Sequence, residues 1–155
     1  MTAREIALDN EILRGVVGST SHGTAIEGQD DRDEMAIAIE PLEYVVGLRH
    51  WETTVFRTQP EGVRSGPGDL DLVTHSLRKF ARLAARGNPT ILLMLFAPPI
   101  QADWQGRELL HYRSQFLSRQ AGRAFLGYMQ AQRSRMSGES GGRHGAMRVE
   151  LVEQY

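Results

Sequence analysis

From Asp31 to Ile39 the side chains alternate: Asp31, Asp33, Met35, Ile37 and Ile39 fall on one face, Arg32, Glu34, Ala36 and Ala38 on the other. A period of two marks a β-strand, and it puts the first two carboxylates on one side. Asp69 to Thr74 repeats the pattern, with Asp69 and Asp71 sharing a side, and Ile12 to Val17 is a third strand that stops at Gly18. Helices are expected over Ala3 to Asn10, Leu42 to Leu48 and Leu77 to Ala85, the last with Ser76 as N-cap and Gly87 as stop. A very apolar helix starts at Pro89, a long helical run covers Arg107 to Met136, and Gln59 to Gly68 and Ser137 to Gly145 read as loops. The order strand, strand, strand, helix, helix, helix predicts a mixed α+β fold, a small β-sheet backed by helices.

A chain of 155 residues with 41% hydrophobic side chains can bury a single-domain core. With no cysteine, thiol nucleophiles, thiolate zinc sites and disulfide frameworks are excluded. Its longest apolar stretch, Pro89 to Ile100, is too short for a membrane helix, and the N-terminus has no basic segment followed by an apolar one, so a soluble, cytoplasmic protein is expected. The net charge of -1 hides a polarity along the chain. Glu27 to Glu43 holds seven carboxylates and one arginine, whereas Arg107 to Arg148 holds eight arginines and two glutamates.

Asp31, Asp33 and Asp71 project from strands that can lie side by side. Same-face carboxylates on one strand are about 7 Å apart, and a neighbouring strand lies about 4.8 Å away. Three negative charges so placed repel one another unless cations sit between them, and oxygen-only ligands select magnesium or manganese. Ions held in this way serve phosphoryl or nucleotidyl transfer. Directly upstream, Gly18 and Ser19 follow an apolar strand and Gly23 permits close backbone approach, so this loop can offer amide donors and a hydroxyl to a triphosphate. Other motifs fail on spacing. Gly18-x4-Gly23 lacks the Lys-Ser/Thr pair of a P-loop, and Ser19 occupies the position where a nucleophile elbow around Ser21 needs glycine.

As a set, Gly18-Ser19-x3-Gly23, Asp31-Arg32-Asp33, Asp71, Ser76-Leu77-Arg78-Lys79-Phe80 and Gly87-Asn88-Pro89 resemble the DNA polymerase β-like nucleotidyltransferase superfamily. More narrowly, they are similar to its predicted members of the RNA-repair-pathway type, frequent in bacteria and their phages. The resemblance runs from about Ile12 to Phe96 and more faintly to the chain end. It implies that Gly18 and Ser19 bind nucleotide phosphates, that Asp31 and Asp33 bind two metals, and that Asp71 completes the metal site and helps deprotonate the attacking hydroxyl. Asp69 is the rival for this third position.

The implied architecture is a nucleotidyltransferase core over residues 1–100, a helical segment packed on it over 101–136, and a glycine-rich tail over 137–155. The implied activity is Mg2+- or Mn2+-dependent transfer of a nucleoside monophosphate from a triphosphate such as ATP to an acceptor hydroxyl on RNA or tRNA. The alternative is an inactive scaffold of the same fold that binds nucleic acid or a protein partner; Leu93 stands where relatives often carry a glutamate. Ending at Tyr155, the chain is expected to be a short form, one piece of a split protein completed by a second chain, or a truncated one. His22 can contact a phosphate or the base, Lys79 beside Arg78 approaches the triphosphate or faces solvent, and Asn88 shapes a helix junction. Arg107, Arg113, Arg119, Arg123, Arg133 and Arg135, interleaved with aromatics, suit a polynucleotide acceptor.

Overall fold

The computed structural model describes residues 2–17, 32–60, 62–63, 66 and 68–136. Thr2 and Glu5 form a reciprocal capping box that starts helix α1, Ala3–Asp9. Strands β1, Glu11–Val16, and β2, Arg32–Ala38, are followed by the short helix α2, Leu42–Val45. Next come β3, Thr53–Arg57, and β4, Leu70–Ser76. Ser76 ends β4 and caps α3, Leu77–Ala85, its hydroxyl accepting the Lys79 N–H at 3.1 Å. Asn88 caps α4, Pro89–Phe96, in the same way, and Pro89 sits where a missing N–H costs nothing. A fifth strand, β5 (Pro99–Ala102), leads to α5, Trp104–His111, a 3-10 turn over Arg113–Phe116, and α6, Arg119–Met136.

The sheet order is β3-β4-β2-β1-β5. Only the central pair, β2 and β4, is parallel; β1 with β2, β1 with β5 and β3 with β4 are antiparallel. One face carries the main core, in which Leu13, Met35 and Ile37 of the strands meet Phe80, Ile91, Met94 and Leu95 of α3 and α4. On the other face Ile6 and Ala7 of α1 pack on Ala38 and Trp51. Completely burying a side chain such as Phe80 or Leu95 stabilises the fold by about 1.5–3 kcal/mol.

Two glycines fix where helices sit. A Cβ on Gly106 would collide with the Ile12 carbonyl oxygen, so α5 lies directly on β1. Gly87 ends α3 with φ +72°, and a Cβ there would come within 2.6 Å of the Ala121 Cα of α6.

The α+β expectation holds, with three differences in detail. Among the described residues the sheet has five strands instead of three, because β3 and β5 join as its two edges. Since β5 pairs with β1 through Ala102, the sheet runs just past the expected core boundary at residue 100. The helical run expected over Arg107 to Met136 is interrupted around Tyr112 to Ser118, where Ser118 caps a new helix by accepting the Ala121 N–H at 3.1 Å.

Candidate active site

Parallel pairing sets Asp33 of β2 directly beside Asp71 of β4. Paired residues in such a ladder share a face, so both carboxylates stand at one end of the same sheet face that carries Met35, Val73 and the main core. Below them the register continues as Met35 beside Val73 and Ile37 beside His75, so apolar packing fixes the level of the two acids. Both are half-buried. Glu34, on the opposite face, is 3% exposed and is neutralised by Arg14 at 3.3 Å and by Arg32, so it belongs to the scaffold.

The edge strand supplies the neighbours of Asp71. Its Oδ1 accepts the Gln59 amide at 2.9 Å and faces the Arg57 Nε at 3.4 Å. Both reach it from the β3 side, whereas Asp33 lies on the β2 side. Asp69 precedes β4 and is used differently. Its carboxylate accepts the Thr58 hydroxyl at 3.2 Å and the Gly66 N–H at 2.9 Å, and its carbonyl accepts the Arg32 N–H at 2.9 Å. Asp71 is thus the acid in register with Asp33, whereas Asp69 locks the turn that leads into β4.

Gly18, Ser19, His22, Gly23 and Asp31 lie outside the described residues, as does the expected tail over 137–155. The described ends of the segment can be placed. Val17 donates its N–H to the Asp33 carbonyl at 2.9 Å, and Arg32 is paired with Leu70. Both ends thus stand at the carboxylate end of the sheet.

Lys79 stands apart from the carboxylates. It lies in the first turn of α3, beyond the far end of β4, and the five residue steps from Asp71 to Ser76 span about 16 Å. Its ammonium donates to the Thr53 hydroxyl at 2.8 Å and faces Glu52 at 3.9 Å. The same hydroxyl lies 3.1 Å from His75 Nδ1. Because an ammonium can only donate, the Thr53 hydroxyl keeps a proton that it can give to Nδ1, an arrangement that suits a neutral His75 ring with its own proton on Nε2. Burial pushes the His75 imidazole below its ordinary value, and the Lys79 charge adds to the effect. The residues that sequence reasoning missed are Arg57 and Gln59. The signal for Arg57 was the β3 strand pattern, weak because β3 is a half-exposed edge; Gln59 lies two residues beyond it.

Two half-buried, same-face carboxylates on adjacent strands offer only oxygen donors, which fits a hard divalent ion. Among the described residues no group of three or more acidic, histidine or cysteine side chains converges on one point. Asp31, two positions before Asp33 in the strand pattern, is the remaining candidate ligand.

Residues 5–147 match the family model described as the RNA repair pathway DNA polymerase beta family. The chain belongs to the RNA repair pathway DNA polymerase beta family. A comparison with the curated proteins finds no match. Membership in this polymerase beta family agrees with the motif resemblance and supports a polymerase beta-like, nucleotidyltransferase-type assignment. No helix among the described residues is long and apolar enough to cross a membrane.

Proposed function

We propose that the protein transfers a nucleoside monophosphate from a nucleoside triphosphate to a hydroxyl of an RNA or tRNA acceptor. The observation that carries this reading is the register of Asp33 beside Asp71 in a chain of this polymerase beta family. Asp31, Asp33 and Asp71 would hold magnesium or manganese, which when bound neutralises the triphosphate and lowers the pKa of the attacking hydroxyl. Gly18 and Ser19 would take the phosphates. The acceptor oxygen forms a bond to the α-phosphorus as the bond to the bridging oxygen breaks and pyrophosphate leaves, and the hydroxyl proton passes to Asp71. Holding the reactants in line supplies much of the rate.

Incubation with each labelled triphosphate, magnesium and cellular RNA tests the proposal. Label is expected on one class of RNA, and both Asp33→Asn and Asp71→Asn should abolish it while the protein stays folded. Wild-type labelling by both variants would refute the assignment. The contacts of Arg57 and Gln59 on Asp71 favour a second reading, a scaffold of the same fold that binds nucleic acid or a partner without catalysis. Such a scaffold should show no magnesium-linked affinity for a triphosphate.

A further inference from the structure

Between Leu109 and Met136 the chain holds five arginines and no carboxylate. Arg119, Arg123 and Arg133 all lie on the exposed side of α6, whose other side packs through Ala121, Ala124, Phe125 and Tyr128. The helix offers them no acidic neighbour at i±3 or i±4, so their mutual repulsion is not offset within it. The close contact of Gly87 with Ala121 sets the end of α3 against the packed side of the first turns of α6. Arg86 precedes Gly87, and Arg119 and Arg123 stand two residues on either side of Ala121. All three are exposed, and among the described residues none makes an ion pair. Arg78 and Arg82, earlier on α3, are by contrast held by Glu40 and Glu52. Uncompensated guanidinium groups on two touching elements suit backbone phosphates, which they can bind in bidentate fashion.

A crevice of about 520 Å³ opens between β1, α5 and the 3-10 turn that precedes α6. Its walls are mostly apolar or aromatic, Ile12, Leu77, Trp104, Tyr112 and Phe116 among them, with Gln105 and the exposed carboxylate of Glu108 as polar members. Phe116 is three residues from Arg119, a span of at most about 11 Å. Trp104 is 67% and Tyr112 46% exposed, so two aromatic rings stand open to solvent beside it. The Gln105 Oε1 is buried and has no hydrogen-bond partner among the described residues, and it therefore calls for a donor. Flat apolar walls with an orphan acceptor suit a base, with its π-face and its N–H edge.

We infer that this helical layer binds single-stranded RNA, with Arg86, Arg119 and Arg123 on its phosphates and one unstacked base in the crevice beside Trp104. Bases in a duplex are stacked and paired, which is why the strand must be single. The inference names the acceptor surface for the activity proposed above and rests on that reading for the choice of RNA.

The test is binding alone, with no triphosphate present, so its outcome is independent of the labelling result. A fluorescent single-stranded RNA of about 20 nucleotides is titrated with the full chain by anisotropy at several salt concentrations. Replacing Arg86, Arg119 and Arg123 together by Gln should weaken binding about tenfold or more and flatten the slope of log affinity against log salt by about 2. The same three positions as Lys should keep most of the affinity, and Trp104→Ala should lower it about tenfold. Melting curves establish that each variant is folded. Affinity within twofold of wild type for the Gln variant overturns the inference. Equal affinity for a duplex of the same sequence, or no effect of Trp104→Ala, overturns the base site.

Discussion

Residues 1–76 contain 14 Asp or Glu against 6 Arg, and residues 77–136 contain 2 against 10 Lys or Arg. The first stretch supplies α1, α2 and four of the five strands; the second supplies β5 and all the remaining helices. A chain of almost zero net charge is thus two oppositely charged halves that share one core. Phe80 of α3 meets Phe116 edge-on at 5.9 Å and packs with Met35 and Ile37 of β2, so the halves are joined by apolar contact. Separation of sign suits a site that must hold cations beside a surface that attracts a polyanion.

The sharpest way to break this comparison is to neutralise one member of the acidic end. Asp71→Asn should reduce nucleotide transfer by at least about a thousandfold, the scale on which a preorganised charge contributes to catalysis, and leave RNA affinity unchanged. Loss of both properties in labelling and anisotropy assays would show that the halves do not divide the work. Next in size, Phe80→Ala should cost about 3–5 kcal/mol by denaturant unfolding, with one transition seen by both tryptophan fluorescence and circular dichroism. Two separate transitions would mean that the halves fold as independent units.

Removing the cap of α6 should be milder. Ser118→Ala leaves the Ala121 N–H without its partner and should cost about 1 kcal/mol, read as a lower melting temperature. The smallest effect concerns His75. Its folded-state pKa lies below the unfolded value of 6.5, so the native state binds fewer protons than the unfolded chain. Its contribution to stability is complete above about pH 6.5 and is lost as pH falls from there through the lower folded value. His75→Gln should be less sensitive than wild type in that window, and identical pH profiles of the two would show that the ring is not held neutral.

The parallel core of the site was legible because β2 and β4 alternate cleanly and carry their acids at the same end. Periodicity alone put Asp33 and Asp71 on single faces; the register that brings them together comes from tertiary packing. Lys79 shows the opposite case. Its place at a helix start was readable, but which end of the sheet the helix starts from depends on strand direction, and β4 runs away from the carboxylates before α3 begins. The strand β3 escaped because Thr53, Thr54, Val55, Phe56 and Arg57 are all half-exposed or exposed on an edge, which blurs the alternation. In β5, Pro99 reads as a breaker, yet edge strands tolerate proline. The break near Tyr112 to Ser118 contains neither glycine nor proline, and Ser118 was its one local sign.

The pairing of β5 with β1 has a practical consequence for anyone seeking a minimal version of this protein. A fragment stopped at Pro98 keeps every strand that carries a described carboxylate of the site but strips the cover from β1, leaving the Leu13 to Gly15 backbone with unpaired hydrogen-bonding groups. Such an open edge recruits strands from other molecules. The short fragment is therefore expected to self-associate and precipitate, while one that continues through α5, where Gly106 lies against Ile12, should stay dispersed.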